Sequence, residues 1–196
     1  MTKNTVIIEE GAKIGDGVSI GHNTVIFSGV VIKDKVTIGS NCLIGSDPES
    51  KYNESIKGLI IHQNAIVTDF VSINLGTVRD TEIREDCYVM NNSYIAHDVI
   101  LEPSVIITSS VNILGGSYIG EEAYIGVNSA VHQNSKIGKL TLLGANSYAK
   151  GELAAGLIYI GSPAVPLKIN KLGIERSKLL KSELRSIEKE SINFLN

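Results

Sequence analysis

The sequence predicts an all-β chain wound as a parallel β-helix, with three six-residue repeats closing each 18-residue coil and a short helical extension at the C-terminus. Three observations carry that expectation. Aliphatic residues recur every six positions through most of the chain. Ile and Val together supply 44 of the 196 residues, while Trp is absent and Phe occurs three times. The interior is therefore built from slim β-branched side chains, which favour strands. Finally, a period of six matches neither the 3.6 of a helix nor a simple alternation, but does match a short strand followed by a tight corner.

The elements follow in order. A first run of markers is Ile8, Ile14, Ile20, Ile26, Ile32, Ile38 and Ile44. Two residues before each marker sits something small or aliphatic, such as Val18, Thr24, Val36 or Cys42. Gly often follows it directly, as at Gly15, Gly21, Gly39 and Gly126, where it is expected to ease the corner. A 17-residue step from Ile44 to Ile61 holds the polar stretch from Ser46 to Ser55. After Ile61, Val67 and Ile73, a ten-residue step to Ile83 leaves four extra residues near Thr77-Val78-Arg79-Asp80. Insertions in a solenoid loop out at a corner, often on its binding face. The longest run goes from Ile83 through Ile95, Ile113 and Val131 to Leu143.

The beat ends near Ala149, and Gly161 to Pro166 is expected to leave the solenoid as an extended exit. Leu172, Leu179, Leu180, Leu184 and Ile187 then project onto one helical stripe. Residues 168 to 196 carry seven Lys or Arg against four Glu, so this tail is basic on an acidic body. The expected division is a β-helix over residues 1–166, with loops at 46–58 and 75–82, and a helical extension over 167–196. That extension caps the open end of the solenoid and is a candidate contact for a nucleotide or a carrier protein.

Composition narrows the function. A net charge of −3 gives no basic footprint for nucleic acid. No run of 18 apolar residues can span a membrane, and Met1-Thr2-Lys3-Asn4 leads into no secretory core, so a cytoplasmic protein is expected. Cys42 and Cys87 form neither a disulfide framework nor a CxxC pair and are expected as buried small hydrophobes.

Four histidines are present. His62 directly follows the marker Ile61 and His22 comes two after Ile20; both are expected at corners facing outward. His97 lies two after Ile95; one coil later that position is Gly115, and one further it is Gln133. Coils spaced by roughly the 4.8 Å of paired strands would stack these three in one row. The row has the parts for acyl transfer: a general base, a backbone N–H open to an oxyanion, and a polar binding group, with Asp98 placed to orient the imidazole.

Ser93-Tyr94-Ile95-Ala96-His97-Asp98, then Leu114-Gly115-Gly116 and Ala130-Val131-His132-Gln133, resemble the UDP-N-acetylglucosamine O-acyltransferases of lipid A synthesis and related nucleotide-sugar N-acyltransferases. The likeness spans roughly residues 6 to 177 and includes the substrate loop from Ile44 to Tyr52 and the coil Asn74 to Val78. It implies a left-handed coil, a homotrimer, His97 as base assisted by Asp98, and the Gly115 N–H as oxyanion donor. It further implies that Glu49 and Lys51 bind the sugar, that His132 and Gln133 line the substrate cleft, and that Asn170 and Arg176 contact the nucleotide. Residues of one subunit are then expected to act across the boundary with the next. The sequence departs from the family pattern at Tyr94, Gly116, Leu172 and Ser177, and its helical domain is cut to roughly 30 residues.

The resemblance implies no tightly bound cofactor; an acyl-CoA or an acyl carrier protein would donate the acyl group. The ending Gly161-Ser162-Pro163-Ala164 also resembles that of CoA-dependent hexapeptide acetyltransferases. Acetyl transfer to another small acceptor and a non-catalytic scaffold both stay open. A zinc site of the γ-carbonic-anhydrase kind is disfavoured, because no His-x4-His pair occurs.

Overall fold

The computed structural model describes residues 5–49, 51 and 55–195. Tyr52, part of the loop resemblance, lies outside them. Two- to five-residue strands stack into three parallel sheets, each strand pairing with its counterpart one coil on. The register is that of the beat: Ile73 pairs with Ile95, Ile95 with Ile113 and Ile113 with Val131. The expected β-helix is therefore observed.

The markers from Ile26 to Leu143 fill the interior and are essentially inaccessible to solvent. Burying an Ile of this kind is worth about 1.5–3 kcal/mol. Ile8 and Ile14, on the first described coil, have no coil beneath them among the described residues and stay 49% and 38% exposed. From Thr24 on, the position two before each marker is also buried, and there small polar residues repair the corner backbone. Thr24, Ser93 and Ser129 donate to the carbonyls of Gly39, Thr108 and Gly144 at 2.7–2.9 Å. Cys42 and Cys87 occupy the same position, buried and unbridged, and burial pushes the Cys87 thiol up to about 12.

The corners correct the role expected of glycine. The left-handed backbone position falls three after the marker, where Asn23, Asn41, Asn92, Asp98, Asn128 and Asn134 all have φ near +60°. Asn and Asp tolerate this conformation because their short side chains bond locally. The glycine directly after the marker serves close stacking instead. A Cβ on Gly126 would lie 2.6 Å from the Ala145 nitrogen and the Leu143 oxygen of the next coil.

The end of the chain differs from expectation in two places. Leu157–Ile160 and Val165–Ile169 form an antiparallel pair, so the exit folds back through a turn at Gly161 (φ +97°). The helical extension is two helices, α1 (Lys171–Arg176) and α2 (Lys181–Leu195), because Ser177 is extended and its Oγ accepts the Leu179 N–H at 3.1 Å. Leu172 and Leu180 consequently face outward, 53% and 73% exposed. The buried face is instead Ile187 with Ser191, whose Oγ donates to the Ala155 carbonyl on the last coil at 2.9 Å. Lys139 pins α2 further, pairing with Glu183 at 2.6 Å and Glu121 at 3.0 Å.

Candidate active site

His97, Gly115 and Gln133 stand in one row at the corner that follows the strands Tyr94–Ile95, Asn112–Ile113 and Ala130–Val131. The Gly116 N–H donates to the His97 carbonyl and the Asn134 N–H to the Gly115 carbonyl, both at 2.9 Å, which fixes the spacing of the row. The imidazole lies against Gly115 so closely that a Cβ there would sit 2.7 Å from its Cε1 and Nε2. Only glycine leaves room for the ring.

His97 Nδ1 lies 2.8 Å from Asp98 Oδ2. An ionised carboxylate only accepts, so Nδ1 carries the proton and Nε2 is left as the basic nitrogen. Asp98 is buried and held from several sides. Its Oδ1 accepts the N–H groups of Thr77, Val78 and Arg79 at 2.8–3.0 Å, and its Oδ2 accepts the Thr77 hydroxyl at 2.6 Å. Burial by itself would raise this carboxyl, but the bonds from Thr77, His97 and Arg79 outweigh it and hold it well below the ordinary carboxylate range.

The Gly115 N–H is free among the described residues. At two equivalent corners the corresponding N–H is taken by an aspartate one coil on, Asp16 donating to Asp34 at 2.9 Å and Ser40 to Asp69 at 2.7 Å. At Ser109, Val127 and Gln133 it is free among the described residues as well, so what sets Gly115 apart is the imidazole packed against it. The residue above Gly115 is Gln133, which is exposed and does not close on it. A free donor beside a basic nitrogen is the arrangement needed to stabilise an oxyanion while moving a proton.

The second wall of the site comes from the described parts of the loop, residues 47–49 and 55–58. Asn74 Nδ2 donates to the Asp47 carbonyl at 2.8 Å and to Ser46 Oγ at 3.0 Å, stapling the loop base to the coil before His97. Tyr94 donates its hydroxyl to Asn74 Oδ1 at 2.5 Å. Burial, with the Glu49 carboxylate beside it, pushes the Tyr94 phenol up to about 12, so it is a neutral donor. Glu49 thus comes to the His97 edge. Lys51 is exposed on the same loop, and His132 is half-buried with its ring centroid 5.9 Å from that of Tyr148. A groove of about 620 Å³, lined by Phe27, Asp47, Lys57 and Leu75 among others, runs up this edge to the coil below His97.

Asn170 and Arg176 lie elsewhere. They line a cleft of about 380 Å³ with Tyr124, Leu142 and Lys178, on the third sheet rather than at the His97 corner. The Asn170 amide is committed within the chain: its Nδ2 donates to the Leu140 carbonyl at 2.8 Å, and its Oδ1 caps α1 by accepting the Gly173 N–H at 3.1 Å. A single chain does not bring this cleft to His97. Among the described residues, no group of three His, Cys, Asp or Glu side chains could hold a metal ion, and no helix is long and apolar enough to cross a membrane.

Sequence reasoning gave no role to four residues that support the row: Asn74, Thr77, Arg79, and Thr81, whose Oγ accepts the Asp98 N–H at 2.9 Å. Two of them, Thr77 and Arg79, lie in the four-residue insertion, whose backbone N–H groups wrap the Asp98 carboxylate.

A family model described as the hexapeptide repeat of succinyl-transferase matches residues 11–46 and 35–68. Among solved structures, the chain is similar to LpxA of Acinetobacter baumannii, with 25% identity over 94% of this chain and 80% of that one and a TM-score of 0.85. It is similar to the UDP-N-acetylglucosamine O-acyltransferase of Moraxella catarrhalis, with 26% identity, 94% and 80% coverage and a TM-score of 0.74. The UDP-N-acetylglucosamine acyltransferase of Campylobacter jejuni shares the fold at 24% identity, 97% and 81% coverage and a TM-score of 0.82. No curated protein matches the chain significantly by sequence. The hexapeptide coil and these likenesses support an acyltransferase built on the fold of these enzymes.

Proposed function

We propose that the protein moves an acyl group from a thioester, carried by CoA or an acyl carrier protein, to an amino or hydroxyl group of a nucleotide-linked sugar. The observation that carries this reading is the His97–Asp98 pair set against the free Gly115 N–H. His97 Nε2 takes the acceptor proton as the acceptor attacks the thioester carbonyl. Gly115 N–H holds the resulting oxyanion. The imidazolium then returns its proton to the departing thiolate, and the tetrahedral intermediate collapses to the acyl product. Asp98 keeps Nδ1 protonated and stabilises the imidazolium. A positioned base contributes about 10²–10⁴-fold and a single oxyanion donor about 10²–10³-fold.

The acceptor sugar lies in this reading between His97 and loop 47–58, with Glu49, Lys51, His132 and Gln133 around it. Arg176 offers a planar fork to the nucleotide phosphates, and Asn170 shapes that cleft by anchoring α1. Because the two parts lie on different faces of one chain, the complete site forms between subunits of a homotrimer. The neighbours named for UDP-N-acetylglucosamine acyl transfer favour a role in lipid A or surface-polysaccharide synthesis in the cytoplasm.

The test is a matrix of acetyl-CoA, longer acyl-CoAs and acyl carrier proteins against 3-amino and 3-hydroxy nucleotide-sugars, read by mass spectrometry. Acyl transfer to a nucleotide-sugar supports the proposal. Transfer only to nucleotide-free acceptors, or none with any pair while the protein is folded, refutes it.

A further inference from the structure

Arg79 sits on the four-residue insertion and touches both halves of the catalytic corner. Its own N–H donates to Asp98 Oδ1 at 3.0 Å. Its side chain then reaches past: Nε donates to the Asp98 carbonyl at 3.0 Å and Nη2 to the Gly116 carbonyl at 3.2 Å. Asp98 and Gly116 occupy the same left-handed corner position on adjacent coils, with φ of +61° and +71°. One residue therefore holds the corner that carries the base and the corner that carries the oxyanion donor. The other ties between these corners are the backbone bond from Gly116 N–H to the His97 carbonyl and the van der Waals contact of the imidazole on Gly115.

We propose that Arg79 is a positioning residue that sets the spacing between His97 and the Gly115 N–H through this two-carbonyl clamp. The inference rests on the reading of His97 as base. It follows from guanidinium chemistry. Two carbonyls on successive coils are matched by two N–H groups of one rigid plane, whereas an ammonium on a flexible stem offers no such fork. The Asp98 carboxylate keeps its other bonds from Thr77 and Val78 when the side chain is lost, so the His97 tautomer is preserved and only the spacing relaxes. Arg79 is exposed, and exposed side chains outside the core add little to stability, so its removal leaves the fold intact.

The experiment compares Arg79→Ala, Arg79→Lys and His97→Ala with the wild type in steady-state acyl transfer, with thermal melts alongside. The expected result for Arg79→Ala is a kcat loss of about 10- to 100-fold from a relaxed geometry, with both KM values nearly unchanged. The melting temperature should move by less than about 3 °C. Arg79→Lys does not restore kcat, whereas millimolar guanidinium added to Arg79→Ala restores part of it and ammonium does not. Wild-type kcat in Arg79→Ala overturns the inference, as does full activity in Arg79→Lys. A loss that tracks a large fall in melting temperature also overturns it, by making the role one of stability. If His97→Ala retains wild-type turnover, the base reading itself fails. If that variant is inactive while Arg79→Ala is not, the Arg79 inference alone fails.

Discussion

Replacing Gly115 by Ala separates the position of the base from the presence of the donor. The Gly115 backbone is not in the left-handed region, so Ala is tolerated there, and the N–H that would hold the oxyanion is retained. The added Cβ, however, falls 2.7 Å from two atoms of the His97 ring. Comfortable carbon contacts are about 3.5–4.0 Å, so the imidazole must retreat by about 1 Å. The His97 side chain is 24% exposed and can give way at little cost to the fold; a Gly to Ala change also removes about 0.4–1 kcal/mol of unfolded-state entropy. The expected outcome is an unchanged or slightly raised melting temperature together with a fall in kcat of about 10²-fold, the penalty for a misplacement of that size. Single-turnover rates with saturating donor and acceptor, paired with a thermal melt, read both quantities. A Gly115→Ala enzyme with wild-type kcat would show that the ring contact has no part in positioning the base.

Three more outcomes are expected. Asp98→Asn reverses the tautomer of His97 and lowers kcat by up to about 10⁴-fold. Because the Asp98 carboxyl is depressed in the folded state, its contribution to stability is complete above about pH 4 and declines as the pH falls below that. An acid titration of stability should therefore be flatter in Asp98→Asn, and an unchanged slope would remove the carboxylate network from the account. Arg176→Ala raises the KM for a nucleotide-sugar by about 10- to 100-fold while leaving that for the thioester near its original value, since a charge-assisted phosphate contact is worth about 1.5–3 kcal/mol. An equal loss with a nucleotide-free acceptor would contradict the assignment. Gly126→Ala forces a Cβ against backbone 2.6 Å away and costs about 1–3 kcal/mol in a urea titration, although it lies far from His97 in sequence and should leave kcat unaltered.

The coil was legible in the sequence because its cause is repeated: each interior site admits the same kind of side chain, so Ile26, Ile32 and Ile38 announce the period directly. The row of His97, Gly115 and Gln133 was legible for the same reason, since a fixed period converts sequence offset into height. The corner was misread because Gly126 and its equivalents were conspicuous, whereas the left-handed burden falls two residues later on Asn128 and other polar residues that also suit any loop. The break between α1 and α2 was hidden because leucines at a helical spacing do not reveal that Ser177 is extended. The Asp98 clamp was hidden because it depends on three consecutive N–H groups of an insertion, and backbone donors leave no signature in residue identity. Asn170 matched a family pattern by type, but its amide is spent on Leu140 and Gly173, which only three-dimensional placement could reveal.

The central claim is that His97 Nε2 is the base, with the Gly115 N–H beside it. Single-turnover acyl transfer by His97→Ala, compared with wild type at saturating substrates and an unchanged melting temperature, tests it most directly. The account predicts a rate about 10²–10⁴-fold lower, with no residual dependence on the ionisation of an imidazole. A His97→Ala rate equal to that of the wild type would contradict it.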